Sequence, residues 1–143
     1  MKDDSSQLQS ATETIRIDDN DLARKKKDEL IGLLSCCKGQ KHLVIIQSYP
    51  DPDAISTGLA HKIISEQYEI EVDIIYAGLI SHPENIALVK LLGIDLRKWD
   101  TNFDLKQYHA TIFLDNQGTT VGPIIDAVQA LKIPELIVVD HHE

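Results

Sequence analysis

The stretch Leu43-Val44-Ile45-Ile46-Gln47-Ser48-Tyr49-Pro50-Asp51-Pro52-Asp53-Ala54 decides the fold. It opens on four apolar residues in a row, the pattern of a strand buried on both faces in a parallel sheet. It runs on into a proline-stiffened turn that carries two carboxylates. From Ala54 to about Gln67 the pattern becomes helical. The small residues Ala54, Ser56, Thr57, Gly58 and Ala60 would let that helix pack close to a sheet. A buried strand, a tight turn and a helix make the first half of a βαβ unit.

The alternation repeats on the C-terminal side. Residues 72–76, with Ile70 before them, read as a second strand that ends at Ala77-Gly78. The loop Ser81-His82-Pro83-Glu84-Asn85 leads into a helix with Pro83 near its first turn. Ile86, Leu88, Val89, Leu91 and Leu92 give that helix its apolar face, and Gly93 ends it. A short strand is expected over 94–99, then a polar loop or helical turn over 100–107. Residues 110–114 read as a buried strand ending at Asp115, and Asn116-Gln117-Gly118 turns the chain. Val121, Ile124, Ile125, Val128 and Leu131 predict a helix, with Pro123 near its start. Residues 136–139 are a last apolar strand, which runs into Asp140-His141-His142. This order of elements predicts an α/β fold: a doubly wound, mostly parallel sheet with helices on both faces. Right-handed crossovers then bring the carboxyl ends of the strands to one edge, where such folds bind ligands.

On the N-terminal side, residues 1–20 are polar and aperiodic and read as a disordered tail ahead of a domain over 21–143. Asp18-Asp19-Asn20-Asp21 offers caps and negative charge for a helix over 21–36, closed by Gly39. The run Arg24-Lys25-Lys26-Lys27 reads as the solvated face of that helix.

The 143 residues suffice for one domain with a real core, and 43% hydrophobic with 26% charged residues is ordinary for a globular protein. A net charge of -9 offers no basic footprint for duplex nucleic acid. It leaves room for a small phosphorylated substrate bound through metal ions, whose charge dominates the local field. Cys36 and Cys37 are adjacent and form neither a zinc pattern nor a disulfide framework, which fits a reduced, cytoplasmic protein. No apolar run approaches the roughly 20 residues that cross a bilayer, so no membrane is expected.

Three strand ends therefore carry acids: Asp51 and Asp53, then Asp115, then Asp140 with His141 and His142. Each acid alone has a plain structural use, as an Asx turn or a helix cap. Asp53, for one, could cap a helix that starts at Ala54. Together, carboxylates and imidazoles suit a divalent metal, and the excess of oxygen ligands favours Mn²⁺ or Mg²⁺, with Co²⁺ also compatible. Asp51 and Asp53 could serve two ions, with Asp115 bridging. Two ions about 4 Å apart stabilise the attacking and leaving oxygens of a displacement at phosphorus. No GxGxxG or GxxxxGK[ST] pattern is present to suggest a plain nucleotide binder instead.

Pro50-Asp51-Pro52-Asp53-Ala54, the strand-terminal Asp115 and Asp140-His141-His142 resemble the DHH phosphoesterase superfamily over about residues 40–143. That superfamily includes RecJ-type exonucleases, nanoRNase/pAp phosphatases and manganese-dependent inorganic pyrophosphatases. The stretch 81–85 followed by Leu91-Leu92-Gly93-Ile94 looks most like the nanoRNase/pAp branch. The resemblance implies a hydrolase with two Mn²⁺ ions, acting on short oligonucleotides or a nucleoside bisphosphate. Within it, Asp51 would bind the first ion, Asp53 and His141 the second, and Asp115 would bridge them. His142 would contact phosphate or support general acid work, and Asp140 would orient the histidines.

Two departures stand out. The family's first ligand, a histidine four residues before the first aspartate, is Gln47 here, and an amide oxygen is the weaker ligand. A further metal-binding aspartate and a substrate-binding domain, which the family carries downstream, are not found up to Glu143. The chain is thus expected to be the front part of a catalytic domain and impaired on its own. The alternative is a non-catalytic phosphate- or nucleotide-binding regulatory domain on the same fold. The oligomeric state is open, a homodimer included.

Overall fold

The computed structural model describes residues 4–116, 118 and 121–141. The chain divides into two compact units, Met1–Cys37 and Lys38–Glu143. The first is one helix, α1 (Asp4–Ser35). It covers the expected 21–36 helix and extends over most of the segment read as a tail. Residues 4–20 contain neither glycine nor proline, so nothing in them breaks the helix. Arg24, Lys25, Lys26 and Lys27 are exposed, as the solvated-face reading requires. Arg24 and Lys26 pair with Asp21 and Glu29 at 3.6 and 2.9 Å.

The second unit alternates strand and helix: β1 (Lys41–Ile46), α2 (Pro52–Glu66), β2 (Glu71–Tyr76), α3 (Pro83–Leu91), β3 (Leu96–Lys98), β4 (Ala110–Leu114), α4 (Gly122–Ala130) and β5 (Glu135–Val139). A single 3-10 turn at Leu105–Gln107 interrupts the polar stretch before β4. All four ladders are parallel, and the sheet order is β3-β2-β1-β4-β5. The α/β, doubly wound expectation holds, with a sheet that is parallel throughout.

Period-two alternation sorts the side chains of β1 between two layers. Leu43 and Ile45 join Ile75, Phe113, Leu105 and Tyr108 in one core, which Val121, Ile124 and Val128 cover. Ile46 faces the other way, where Gly58 of α2 lies against it and Ile74. Helices therefore cover both faces, as right-handed crossovers require when the strand order reverses. Each fully buried Leu or Ile contributes about 1.5–3 kcal/mol, so β1, with Leu43 to Ile46 all at 0% exposure, anchors the unit. In α2 only part of the small-residue stripe meets the sheet: Ala54 and Gly58 are buried, and Ser56 and Ala60 are exposed.

Two expectations change here. The apolar run of the last strand suggests burial, but β5 lies at the sheet edge and its Val138 and Val139 are exposed. The apolar residues of α3 are also largely exposed, Leu91 to 84%, and the helix buries Asn85 instead.

Polar groups inside the unit are handled in two ways. Asp73 of β2 is buried and accepts a 2.6 Å hydrogen bond from Tyr108 Oη. Lys41 Nζ lies 3.1 Å and Arg97 3.5 Å from its carboxylate. Desolvation pushes its pKa up, but the Tyr108 hydrogen bond and the two cations outweigh this and hold it below the usual carboxylate value. His61 of α2 is buried and shares a 3.2 Å hydrogen bond with Ser65 Oγ. Burial, with a smaller push from His42, lowers its pKa to about 4, so it is neutral. Among the described residues, no helix is long and apolar enough to cross a membrane.

Candidate functional site at the reversal of strand order

From β1 the chain winds outward through β2 to β3, then returns to the other side of β1 for β4 and β5. The reversal falls between β1 and β4. In such sheets the loops leaving the carboxyl ends of the two central strands part at this point and open a crevice. One loop, 47–51, holds Gln47 and Asp51, and the other starts at Asp115.

Asp115 is the best-defined group of the site. It is 6% exposed and its backbone is left-handed, with φ 58. That conformation is uncommon outside glycine, and aspartate tolerates it better than most residues. Its N–H donates to the Val139 carbonyl at 2.8 Å, which ties β4 to the end of β5. One carboxylate oxygen accepts Gln47 Nε2 at 3.0 Å, and the other lies 3.0 Å from His141 Nε2. Three strand ends thus meet on one carboxylate. The neighbouring Asn116 locks the reversal. Its Nδ2 donates to the carbonyls of Ile45 and Leu114, each at 3.0 Å, and its Oδ1 accepts the Gly118 N–H at 2.8 Å.

Asp51 does structural work. Its backbone is extended and its Oδ1 accepts the Ala54 N–H at 2.9 Å, so it is the N-cap of α2. The expectation that Asp53 caps a helix beginning at Ala54 is corrected by two residues. Pro52 occupies the first helical turn, where its missing N–H costs nothing, and the cap moves back to Asp51. Asp53 then sits exposed in the first turn of α2, where the helix dipole favours a negative charge.

A cleft of about 280 Å³ is lined by Asp53, Ser56, Thr57, Asp115, Val139, Asp140 and His141. The structure therefore gathers four of the expected site residues, Asp53, Asp115, Asp140 and His141, around one space. Gln47 touches the site through Asp115, and Asp51 is turned to its helix. His142 lies outside the described residues. The donors are right in kind for a hard divalent cation, three carboxylates and one imidazole. As the side chains stand, no three His, Cys, Asp or Glu among the described residues converge closely enough to hold an ion.

Several supporting residues escaped the sequence reading. Asn85, taken only as a helix start, is buried and donates through Nδ2 to the Pro50 carbonyl at 3.2 Å. Leu79 N–H donates to the Ser48 carbonyl at 3.1 Å, and a Cβ on Gly78 would collide with that same carbonyl. The acid-bearing 47–51 loop is thus braced by the segment after β2. A buried Asn beside a Pro-rich turn is the signal that points to such a brace. Ser56 and Thr57, read only as small packing residues, present hydroxyls along the cleft.

No protein-family model matches the chain, and no solved structure matches it. Over 101 residues it is 34% identical to an uncharacterized protein of Methanocaldococcus jannaschii, a match that covers 70% of this chain and 20% of that protein. The chain spans about a fifth of the length of the curated relative it matches.

Proposed function

We propose that the cleft at the β1/β4 reversal is the metal-binding side of a DHH-type phosphoesterase. Its substrates would be short oligonucleotides or nucleoside bisphosphates, cleaved at phosphodiester or phosphomonoester bonds. The observation that carries this reading is the gathering of Asp53, Asp115, Asp140 and His141, drawn from three separate strand ends, around one cleft. Nothing in the packing of the sheet asks for three carboxylates there. Their shared charge favours a divalent cation, Mn²⁺ by the oxygen-rich donor set, with Mg²⁺ and Co²⁺ chemically compatible.

A cation held there supplies an activated water and offsets phosphate charge. The chain's own residues have separate tasks. Asp53 and Asp115 hold charge from opposite sides of the reversal. Asp115 also orients the ring of His141, 3.0 Å away, as a donor to the cation, and general acid work would fall to His142. The Ser56 and Thr57 hydroxyls offer hydrogen bonds to phosphate oxygens. Free thiols at Cys36 and Cys37 suit a reducing, cytoplasmic setting. The reading holds equally for a monomer and a homodimer.

The test is Mn²⁺-dependent release of mononucleotide from a dinucleotide, or of phosphate from adenosine 3′,5′-bisphosphate. Turnover that Asp53→Ala abolishes supports the reading. A second reading, a non-catalytic phosphate- or nucleotide-binding regulatory domain, draws on Gln47, which stands where the family resemblance expects a histidine ligand and bonds to Asp115. Nucleotide binding by a chain that binds no Mn²⁺ favours it.

A further inference from the structure

We infer that the outer face of α3 pairs with the same face of a second copy of this chain, antiparallel and across a two-fold axis. Glu84, Ala87, Leu88 and Leu91 follow the i, i+3, i+4, i+7 spacing of one helix face, and with Lys90 they line a single shallow groove. Glu84, Ala87, Lys90 and Leu91 are exposed and Leu88 is half-buried, while Asn85, on the opposite side of the helix, is buried. At 84%, Leu91 is the most exposed large apolar side chain among the described residues, and its neighbour Leu92 is 48% exposed. A single exposed leucine is ordinary, but an apolar helix face left in water marks an interaction surface.

The charges at the two ends of the face point to what covers it. Glu84 lies three residues before Ala87, and Lys90 lies three residues after it. Among the described residues neither has an ion-pair partner. A two-fold axis at Ala87 sets Glu84 of one copy level with Lys90 of the other, and the symmetry repeats the pair. A parallel arrangement would set glutamate against glutamate and lysine against lysine, so the charges select the antiparallel one. The methyl side chain of Ala87 at the centre lets the two axes approach to about 8 Å, the short end of helix packing. Leu91 of each copy then leaves water against the first turn of the other helix. A helix of nine residues gives a contact at the small end of specific interfaces, so the dimer exchanges with the monomer.

Sedimentation equilibrium of the chain from micromolar to millimolar concentration tests this. The mean mass should climb from that of one chain toward that of two. Leu91→Lys should weaken association at least about ten-fold, because it removes the central apolar anchor. Glu84→Lys and Lys90→Glu each set like charges level with one another and should each weaken it about ten-fold. An equimolar mixture of these two variants restores both opposite-charge pairs, as does the double variant, and each should associate within about three-fold of the parent. All three positions are exposed, so the circular dichroism spectrum and the denaturation midpoint of the dilute chain should not move. A chain that stays monomeric throughout overturns the inference and leaves the face to a partner of another kind. Association untouched by Leu91→Lys overturns it as well, since the dimer then uses another surface. Weakening by the single charge variants without rescue in their mixture overturns the antiparallel pairing.

Discussion

Asp73 on β2 and Asp115 just past the end of β4 are both buried carboxylates at inner strands of one sheet, and the fold treats them oppositely. Asp73, at 5% exposure, is enclosed by a phenol, an ammonium and a guanidinium from Tyr108, Lys41 and Arg97. Asp115, at 6%, faces an amide and an imidazole, and the described residues lining its cleft include two more carboxylates and no lysine or arginine. Burying a charge is costly unless it is matched. Where this chain needs a carboxylate for structure, it brings the cations along. Where it gathers carboxylates at the strand-order reversal, the proposed function would have a bound cation supply the positive charge.

Removing the matched carboxylate should be the most damaging change. Asp73→Ala leaves the buried Tyr108 hydroxyl without its acceptor, while Lys41 and Arg97 keep Glu71 and Asp95, and should cost about 3 kcal/mol in chemical denaturation. Asp115→Asn, which keeps both the left-handed backbone and an acceptor for Gln47, should stay within about 1 kcal/mol of the parent while losing divalent-ion binding. Equal losses for the two variants would erase the contrast.

His61 sharpens the comparison from a third side, as a buried group kept neutral rather than matched. Its folded pKa of about 4 lies below the ordinary 6.5, so the unfolded chain takes up a proton first as the pH falls. The stability it contributes is complete above pH 6.5 and is lost on descent toward pH 4, by about 3 kcal/mol. Asp73, with its lowered pKa, adds a further loss only below its ordinary value of 3.8. Denaturation midpoints measured across this range should show the upper step shrink in His61→Leu, the remainder coming from buried His42, whose pKa burial also lowers. A flat profile between pH 6.5 and 4 would mean that His61 is not held neutral.

Two smaller effects probe the braces around Asp115. Gly78→Ala sets a Cβ against the Ser48 carbonyl and should cost about 1–3 kcal/mol, with weakened metal binding because the 47–51 loop shifts. Gln47→Ala should cost about 1 kcal/mol, the value of one hydrogen bond, in the same denaturation assay. If Gly78→Ala leaves metal binding untouched, the loop does not depend on that brace.

Much of this was legible in the sequence. Apolar runs at 43–46, 72–76 and 110–114 locate β1, β2 and β4 because strands buried on both faces need no alternation. Pro83 and Pro123, each in a first turn, locate the starts of α3 and α4. Other features depend on pairing, which local pattern does not carry. Nothing near Val138 says that β5 is an edge strand, since exposure follows from strand order. Asp73 sits inside an apolar run, and its partners come from β1, β3 and the turn before β4. The cap on Asp51 rather than Asp53 turns on Pro52 taking the first turn of α2. The Gln47–Asp115 bond joins residues 68 apart, and only the reversal of strand order brings them within reach.

That same separation has a kinetic consequence. The ladder between β1 and β2 can close soon after β2 is made, because a helix and a short turn are all that lie between them. The ladder between β1 and β4 must wait for a far longer loop to close, and β5 has nothing to pair with until β4 is seated. Since distant contacts form slowly, the outer half of the sheet should be the late event. The crevice, whose two walls belong to the early and the late half, exists only once folding is complete. During synthesis the carboxylate of Asp53 therefore emerges and spends its first moments on the solvated start of a helix, gaining its counterparts only when residues 115, 140 and 141 have left the ribosome.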